Sequence, residues 1–279
     1  MINLTDIAYV RLGTLDLDGA DRYAREIIGL QRSESLRKQK LYRSDQRAQT
    51  LTYFEGSPDQ QIVAFEISSE KNLSTAAKVL GNLGHDVHVG SATECKDRCV
   101  EAFISFRDPS GNSIEFCCDP EQAQDQYHQQ RNANITGFNH VGLYSTDVVR
   151  DEIFWTEVCG AKVSDRIGKV PLLRVNEIHH TIALAPSKHH GIHHVNHQVT
   201  SVEDIFRSFH FLRRHNVPVV FGPGRHPTSG ARFIYFRGPD GLVFEYSVGV
   251  DKVDEATHQP RNFESGRWGL CTWGAVWTP

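Results

Sequence analysis

Three features of the 279-residue sequence predict an α+β fold made of duplicated βαβββ modules. They are a segmental repeat, strand–turn–strand signatures in both halves, and apolar alternation along the strands concerned. The repeat opens with "IAYVRLGTLDLDGADRYAREIIGLQ" from Ile7, matched by "FNHVGLYSTDVVRDEIFWTEVCGAK" from Phe138. Each segment reads as an apolar strand, an Asp-rich turn and an amphipathic stretch. Gly29 and Gly160 follow, suited to ending a helix. "IVAFEIS" from Ile62 aligns with "HVNHQVT" from His194, and each leads into a second helical segment. "FISFRDPSGNSIEF" then aligns with "FIYFRGPDGLVFEY", both reading as strand, Pro-x-Gly turn, strand. The offset stays close to 131 throughout, as from Ile7 to Phe138, so one unit has been duplicated. Within each copy the strand–helix pattern recurs, giving two βαβββ halves. The polar stretch "DPEQAQDQYHQQRNANITG" reads as the linker and divides the chain into 1–131 and 132–279.

Composition sets the class. Hydrophobic residues make up 39% and charged residues 23%, the balance of a globular protein. A net charge of −4 argues against a nucleic-acid or anionic-membrane partner. No apolar run approaches the roughly 20 residues needed to span a bilayer, and the N-terminus lacks a secretory pattern. A cytoplasmic protein is expected, with its six cysteines as free thiols.

Seven histidines crowd "NEIHH" and "PSKHHGIHHVNHQV", and strand parity sorts them. Residues two apart share a face. His140 lies with Gly142 and Tyr144, His194 with Asn196 and Gln198, and Glu245 with Val243 and Ser247. Three matching strands thus each present an apolar stripe for packing and a second face carrying one ligand. Two imidazoles and a carboxylate form the facial triad of non-haem Fe(II) chemistry; Mn(II) also suits it, and Zn(II) with different geometry. In the first copy Tyr9 and Ile62 replace the two histidines while Glu115 is kept. That copy is expected to be metal-free. His179 and His193 should face away from a site that their neighbours face, His189 and His190 should be solvated, and His197 should be a satisfied core histidine.

The run "GRHPTSGARFIYFRGPDGLVFE", Gly224 to Glu245, resembles the signature of the type I extradiol ring-cleavage dioxygenases. The duplicated module is similar to the vicinal-oxygen-chelate, glyoxalase-like architecture, which implies two barrel-like domains. Carried over by position, the resemblance implies His140, His194 and Glu245 as ligands of Fe(II). It implies His180, on the strand preceding the second histidine ligand, as the acid–base residue. Tyr235 and His226 would lie beside the substrate oxygens, and the tail "ESGRWGLCTWGAVW" would form a lid. The implied reaction joins a small aromatic diol with O₂, opens the ring beside the hydroxyls and yields a semialdehyde acid. A homo-oligomer is implied as well. Arg225 and Arg232 are secondary candidates for pairing a substrate carboxylate. Two rivals share the scaffold: a metal-dependent isomerase, lyase or transferase that needs no O₂, and a non-catalytic small-molecule binding module.

Overall fold

A computed structural model describes residues 1–278. It contains an eight-stranded and a nine-stranded sheet. The first copy runs from edge strand Gln31–Ser35 through Leu4–Thr14 and Gln61–Ile67 at its centre to His88–Val89. The second repeats that order strand for strand, from Lys162–Ile167 through Ile135–Ser145 and Ile192–Val199 to Val219–Arg225. One further edge strand, Arg261–Phe263, lies parallel to Lys162–Ile167 and has no counterpart in the first sheet. The hydrogen-bonded order is open in both sheets. The duplication read from the sequence is therefore a duplication of topology.

Each sheet joins two parallel strand pairs along an antiparallel seam. In the second copy Ile135–Ser145 pairs parallel with Ile182–Pro186, and Ile192–Val199 pairs parallel with Val243–Val248. The two inner strands meet antiparallel. Local chemistry fixes the connections. Asp16 and Asp147 accept from backbone N–H groups three residues on, capping helices Leu17–Arg22 and Val148–Ile153. Each helix continues as a π turn that ends before Gly29 (φ 91°) or Gly160 (φ 75°), a conformation with no Cβ penalty. Ser201 and Asp204 form a capping box at the start of helix Val202–Arg214.

The apolar stripes face the helices. Val141, Leu143, Val195, Val199, Phe244 and Tyr246 join Ile205 and Leu212 in one buried core. That core extends into the first copy, where Phe65 and Trp155 meet edge to face at 5.2 Å. Polar contacts also cross between the copies. The Tyr23 hydroxyl donates to the Arg237 carbonyl at 2.7 Å, and the Tyr246 hydroxyl donates to that of Ile28 at 2.6 Å. All six cysteines are free. Among the described residues no helix is long and apolar enough to cross a bilayer.

His197 departs from expectation. It lies in this core between Phe138 and Phe244, but neither ring nitrogen has a hydrogen-bond partner. Burial pushes its pKa down to about 3 from the usual 6.5. Between those values the unfolded chain takes up a proton that the folded chain refuses. Stability is therefore complete above pH 6.5 and declines as the pH falls towards 3. Replacing the ring in His197→Leu should remove this contribution. Urea unfolding at pH 7 and pH 5 should show the variant losing about 2 kcal/mol less than the parent over that interval.

Candidate metal centre and cavity

The antiparallel seam places the three candidate ligands on one face. His140 and Glu245 flank Asn196 from the two neighbouring strands, and His194 lies two residues along from Asn196. Gly142 pairs with His194, and a Cβ there would overlap the His194 ring. His140 Nε2 stands 3.0 Å from Glu245 Oε2, His194 Nε2 3.5 Å from the same oxygen, and the two nitrogens lie 3.2 Å apart. Among the described residues this is the one cluster of three or more His, Cys, Asp or Glu side chains with converging ligand atoms.

The electrostatics call for a cation. Glu245 is 1% exposed and neither of its oxygens accepts a well-formed hydrogen bond, although His140 stands within ion-pair distance. An unpaired buried carboxylate costs several kcal/mol (order of magnitude). The Nδ1 of His140 lies 3.1 Å from the Asn139 side-chain oxygen, which only accepts. That nitrogen carries the proton, and Nε2 turns a lone pair towards Glu245. The Nδ1 of His194 meets His193 Nδ1 at 2.7 Å, a second outer contact of the kind that orients ligating imidazoles. Two lone-pair nitrogens and an unpartnered carboxylate oxygen fit a divalent ion with affinity for imidazole and oxygen donors.

The first copy meets the same problem in another way. Tyr9 donates to Glu115 Oε2 at 2.7 Å, and Arg98 reaches both Glu115 oxygens, the shortest contact being 2.6 Å. Arg98 also lies 4.0 Å from the centre of the Phe103 ring. Its guanidinium supplies the positive charge opposite the retained carboxylate. At the position of Gly142 stands Arg11, hydrogen-bonded to Gln39.

Beside the triad lies a cavity of about 330 Å³. Its walls are Ile167, Val170, Leu172, Ala183, Ala185, Phe221, Leu270 and Trp277, with His180, His193, His194, His226, Thr228 and Tyr235 as polar members. His180 is buried with its ring centre 4.2 Å from that of His140. It sits in the turn before strand Ile182–Pro186 and not on a strand, because the chain first bends round the Ile178–Lys252 bridge. His226 Nδ1 lies 2.8 Å from the Leu270 carbonyl, and its Nε2 lies 3.2 Å from the Tyr235 hydroxyl. Tyr235 packs 5.2 Å from the His194 ring, and burial raises its pKa well above the ordinary value.

The structure alters the expectations for His193, the two arginines and the tail. His193 lines the cavity against Trp277 and Tyr144, because the strand register slips between Ile192 and His194 and breaks the alternation. Burial pushes its pKa down to about 4, so it stays neutral and accepts from His194. Arg225 and Arg232 do not line the cavity; both turn towards the Gly230 carbonyl. His179 points away from the cavity, as expected, but it is bonded to both Asp165 and His180. From the tail, Leu270 and Trp277 wall the cavity whereas Trp268 and Trp273 are exposed. His189 and His190 are exposed loop residues.

The comparisons follow this geometry. The profile of the Glyoxalase/Bleomycin resistance protein/Dioxygenase superfamily matches residues 137–246. An iron-dependent extradiol dioxygenase of Rhodococcus jostii (strain RHA1) is 24% identical, over 91% of this chain and 92% of that protein. A biphenyl-2,3-diol 1,2-dioxygenase of Metapseudomonas furukawaii is 25% identical over 96% and 94%. The solved structure of a Mn(II)-bound glyoxalase from Novosphingobium aromaticivorans superposes with a TM-score of 0.90, at 24% identity, over 100% of this chain and 94% of that one. The superfamily match thus spans the three strands that carry His140, His194 and Glu245, and the superposition shows the same fold.

Proposed function

We propose that the protein is an Fe(II)-dependent extradiol dioxygenase that opens the ring of a catechol-type diol beside its hydroxyls and yields a semialdehyde acid. Residues 132–279 form its catalytic half and 1–131 its metal-free half. One observation carries the reading: a buried two-His, one-Glu cluster with an unpartnered carboxylate opens onto a cavity that also holds His180, His226 and Tyr235. The curated relatives named above, an iron-dependent extradiol dioxygenase and a biphenyl-diol dioxygenase, support the same chemistry. Mn(II) is the alternative ion that the ligand set suits.

His140 and His194 through Nε2, and Glu245 through a carboxylate oxygen, would hold the metal. When bound, the metal supplies Lewis acidity towards the diol and a redox centre at which O₂ can react. The chain does the rest. His180 takes the proton of a diol hydroxyl and later returns it, a task suited to an imidazole. Burial, with His140 and His179 beside it, holds its pKa well below the usual value, so the ring waits neutral. The Tyr235 hydroxyl and His226 Nε2 form a hydrogen-bonded pair that orients the diol oxygens.

The cavity narrows the substrate class. Among the described residues no Lys or Arg lines it, and apart from its histidines, Thr228 and Tyr235 its walls are aliphatic and aromatic. A carboxylate carried into it would be buried unpaired, so the reading favours an uncharged diol bearing an apolar substituent. Six free thiols suit a reducing compartment and support the cytoplasmic expectation. The exposed Trp268, Trp273 and Val276 offer apolar surface of the kind a second copy would cover, which supports a homo-oligomer.

Reconstitution with Fe(II) under anaerobic conditions, then a panel of catechols and oxygen, tests the assignment. A coloured ring-fission product with one O₂ consumed per diol is expected. Binding of the diols without O₂ uptake would favour an isomerase, lyase, transferase or binding module. Glu245→Gln and His194→Ala should lose stoichiometric iron, read by metal analysis. His180→Phe should retain iron and anaerobic diol binding while kcat falls at least about 100-fold. Trp277→Ala should raise KM for an aryl-substituted diol by about tenfold, equivalent to roughly 1.4 kcal/mol of lost apolar contact. Its KM for unsubstituted catechol should change little.

A further inference from the structure

Behind His180 the structure holds a polar chain that no cavity contact requires, buried at His179 and Asp165 and exposed at Arg261. Arg261, on the edge strand found only in the second copy, donates to Asp165 from its backbone N–H at 2.8 Å and from Nη2 at 2.6 Å. Asp165 is 0% exposed and stands 3.0 Å from His179 Nε2. His179 is 1% exposed, and its other nitrogen, Nδ1, lies 3.1 Å from His180 Nδ1. We propose that Arg261, Asp165 and His179 are positioning residues that fix His180 in its Nδ1–H tautomer, leaving Nε2 free of a proton for the diol.

The argument is one of donors and acceptors. A carboxylate only accepts, so His179 Nε2 carries the proton between His179 and Asp165. A neutral His179 then presents a lone pair at Nδ1, and the contact with His180 is a hydrogen bond only when His180 Nδ1 carries the proton. The other proton arrangement needs a charged His179. That would set a second cation against a carboxylate that Arg261 already neutralises, at a buried site where unbalanced charge is costly. Burial would raise the Asp165 pKa, but hydrogen bonds from His179 and Arg261 hold it at about 2, so the acceptor persists at working pH. A base needs a bare nitrogen facing its proton, and this chain selects which nitrogen that is. The role assigned to His180, though not its tautomer, rests on the ring-cleavage reading.

Two measurements on the full chain test the proposal separately. In metal-free protein labelled with ¹⁵N-histidine, His180 should show a protonated, pyrrole-type Nδ1 and a bare, pyridine-type Nε2. In the iron-loaded enzyme, Asp165→Asn should lower kcat about 100-fold with KM changed less than about threefold, because its amide can donate to His179 and reverse the chain. His179→Phe, which removes the acceptor without touching Asp165, should do the same if Asp165→Asn folds poorly. His179→Gln should restore most of the rate, since its amide can donate to Asp165 while its oxygen accepts from His180. A protonated Nε2 on His180 in the parent protein would overturn the proposal. So would kcat within threefold of the parent in both Asp165→Asn and His179→Phe. If the parent cleaves no diol, the ring-cleavage reading falls, and the labelled spectrum alone upholds or overturns the tautomer.

Discussion

The buried Glu245 carboxylate faces two imidazole nitrogens at 3.0 and 3.5 Å, and neither of its oxygens accepts a well-formed hydrogen bond. Most of the second copy can be understood as a response to that one buried charge. The strand seam brings Glu245 into line with His140 across Asn196. Gly142 gives up its side chain so that the His194 ring can enter. Asn139 and His193 hold the outer nitrogens of the two histidines, leaving the inner pair able to act as ligands. The packing face of the same strands supplies the rigidity, since Val141, Val195 and Phe244 alternate with the ligand-bearing face inside a continuous core.

The first copy shows that the backbone alone does not require a metal. It has the same strand order and keeps the carboxylate at Glu115. There the charge is met by covalently tethered groups, Arg98 and Tyr9, so the position is closed. An exchangeable ion leaves coordination positions for other molecules, whereas a guanidinium held by four contacts and stacked on Phe103 leaves none. Duplication thus separates two tasks. One module stabilises the shared core, and the other carries a charge imbalance that chemistry can use.

Much of this was legible in the sequence, and the failures have physical causes. Parity found His140, His194 and Glu245 because the strands that hold them are regular where they matter. It failed one residue away at His193, where a register slip turns consecutive histidines towards one cavity. His197 lay on the packing face as read, but whether its nitrogens find partners depends on neighbours that a strand pattern does not specify. Asp165 passed unnoticed because nothing local marks an acidic residue in "KVSDRI" as the partner of a histidine fourteen positions later. Arg225 and Arg232 offer guanidinium groups suited to a carboxylate, but at the paired ends of their strands both reach the Gly230 carbonyl instead.

The tail resolves a remaining oddity, that the second copy has a strand the first lacks. Arg261 on that strand anchors Asp165, the Leu270 carbonyl holds His226 Nδ1, and Trp277 closes the cavity against Tyr235 and Phe221. Backbone contacts from Thr272 to Arg225 and from Thr278 to Val220 strap the intervening segment along strand Val219–Arg225. One stretch of chain therefore touches the groups behind His180, the ring beside Tyr235 and the wall of the cavity. His140, His194 and Glu245, by contrast, all come from the three central strands and need nothing from the tail. Two separable levels of construction follow: a sheet that suffices to gather the two histidines and the glutamate, and a terminal segment that shapes the cavity beside them.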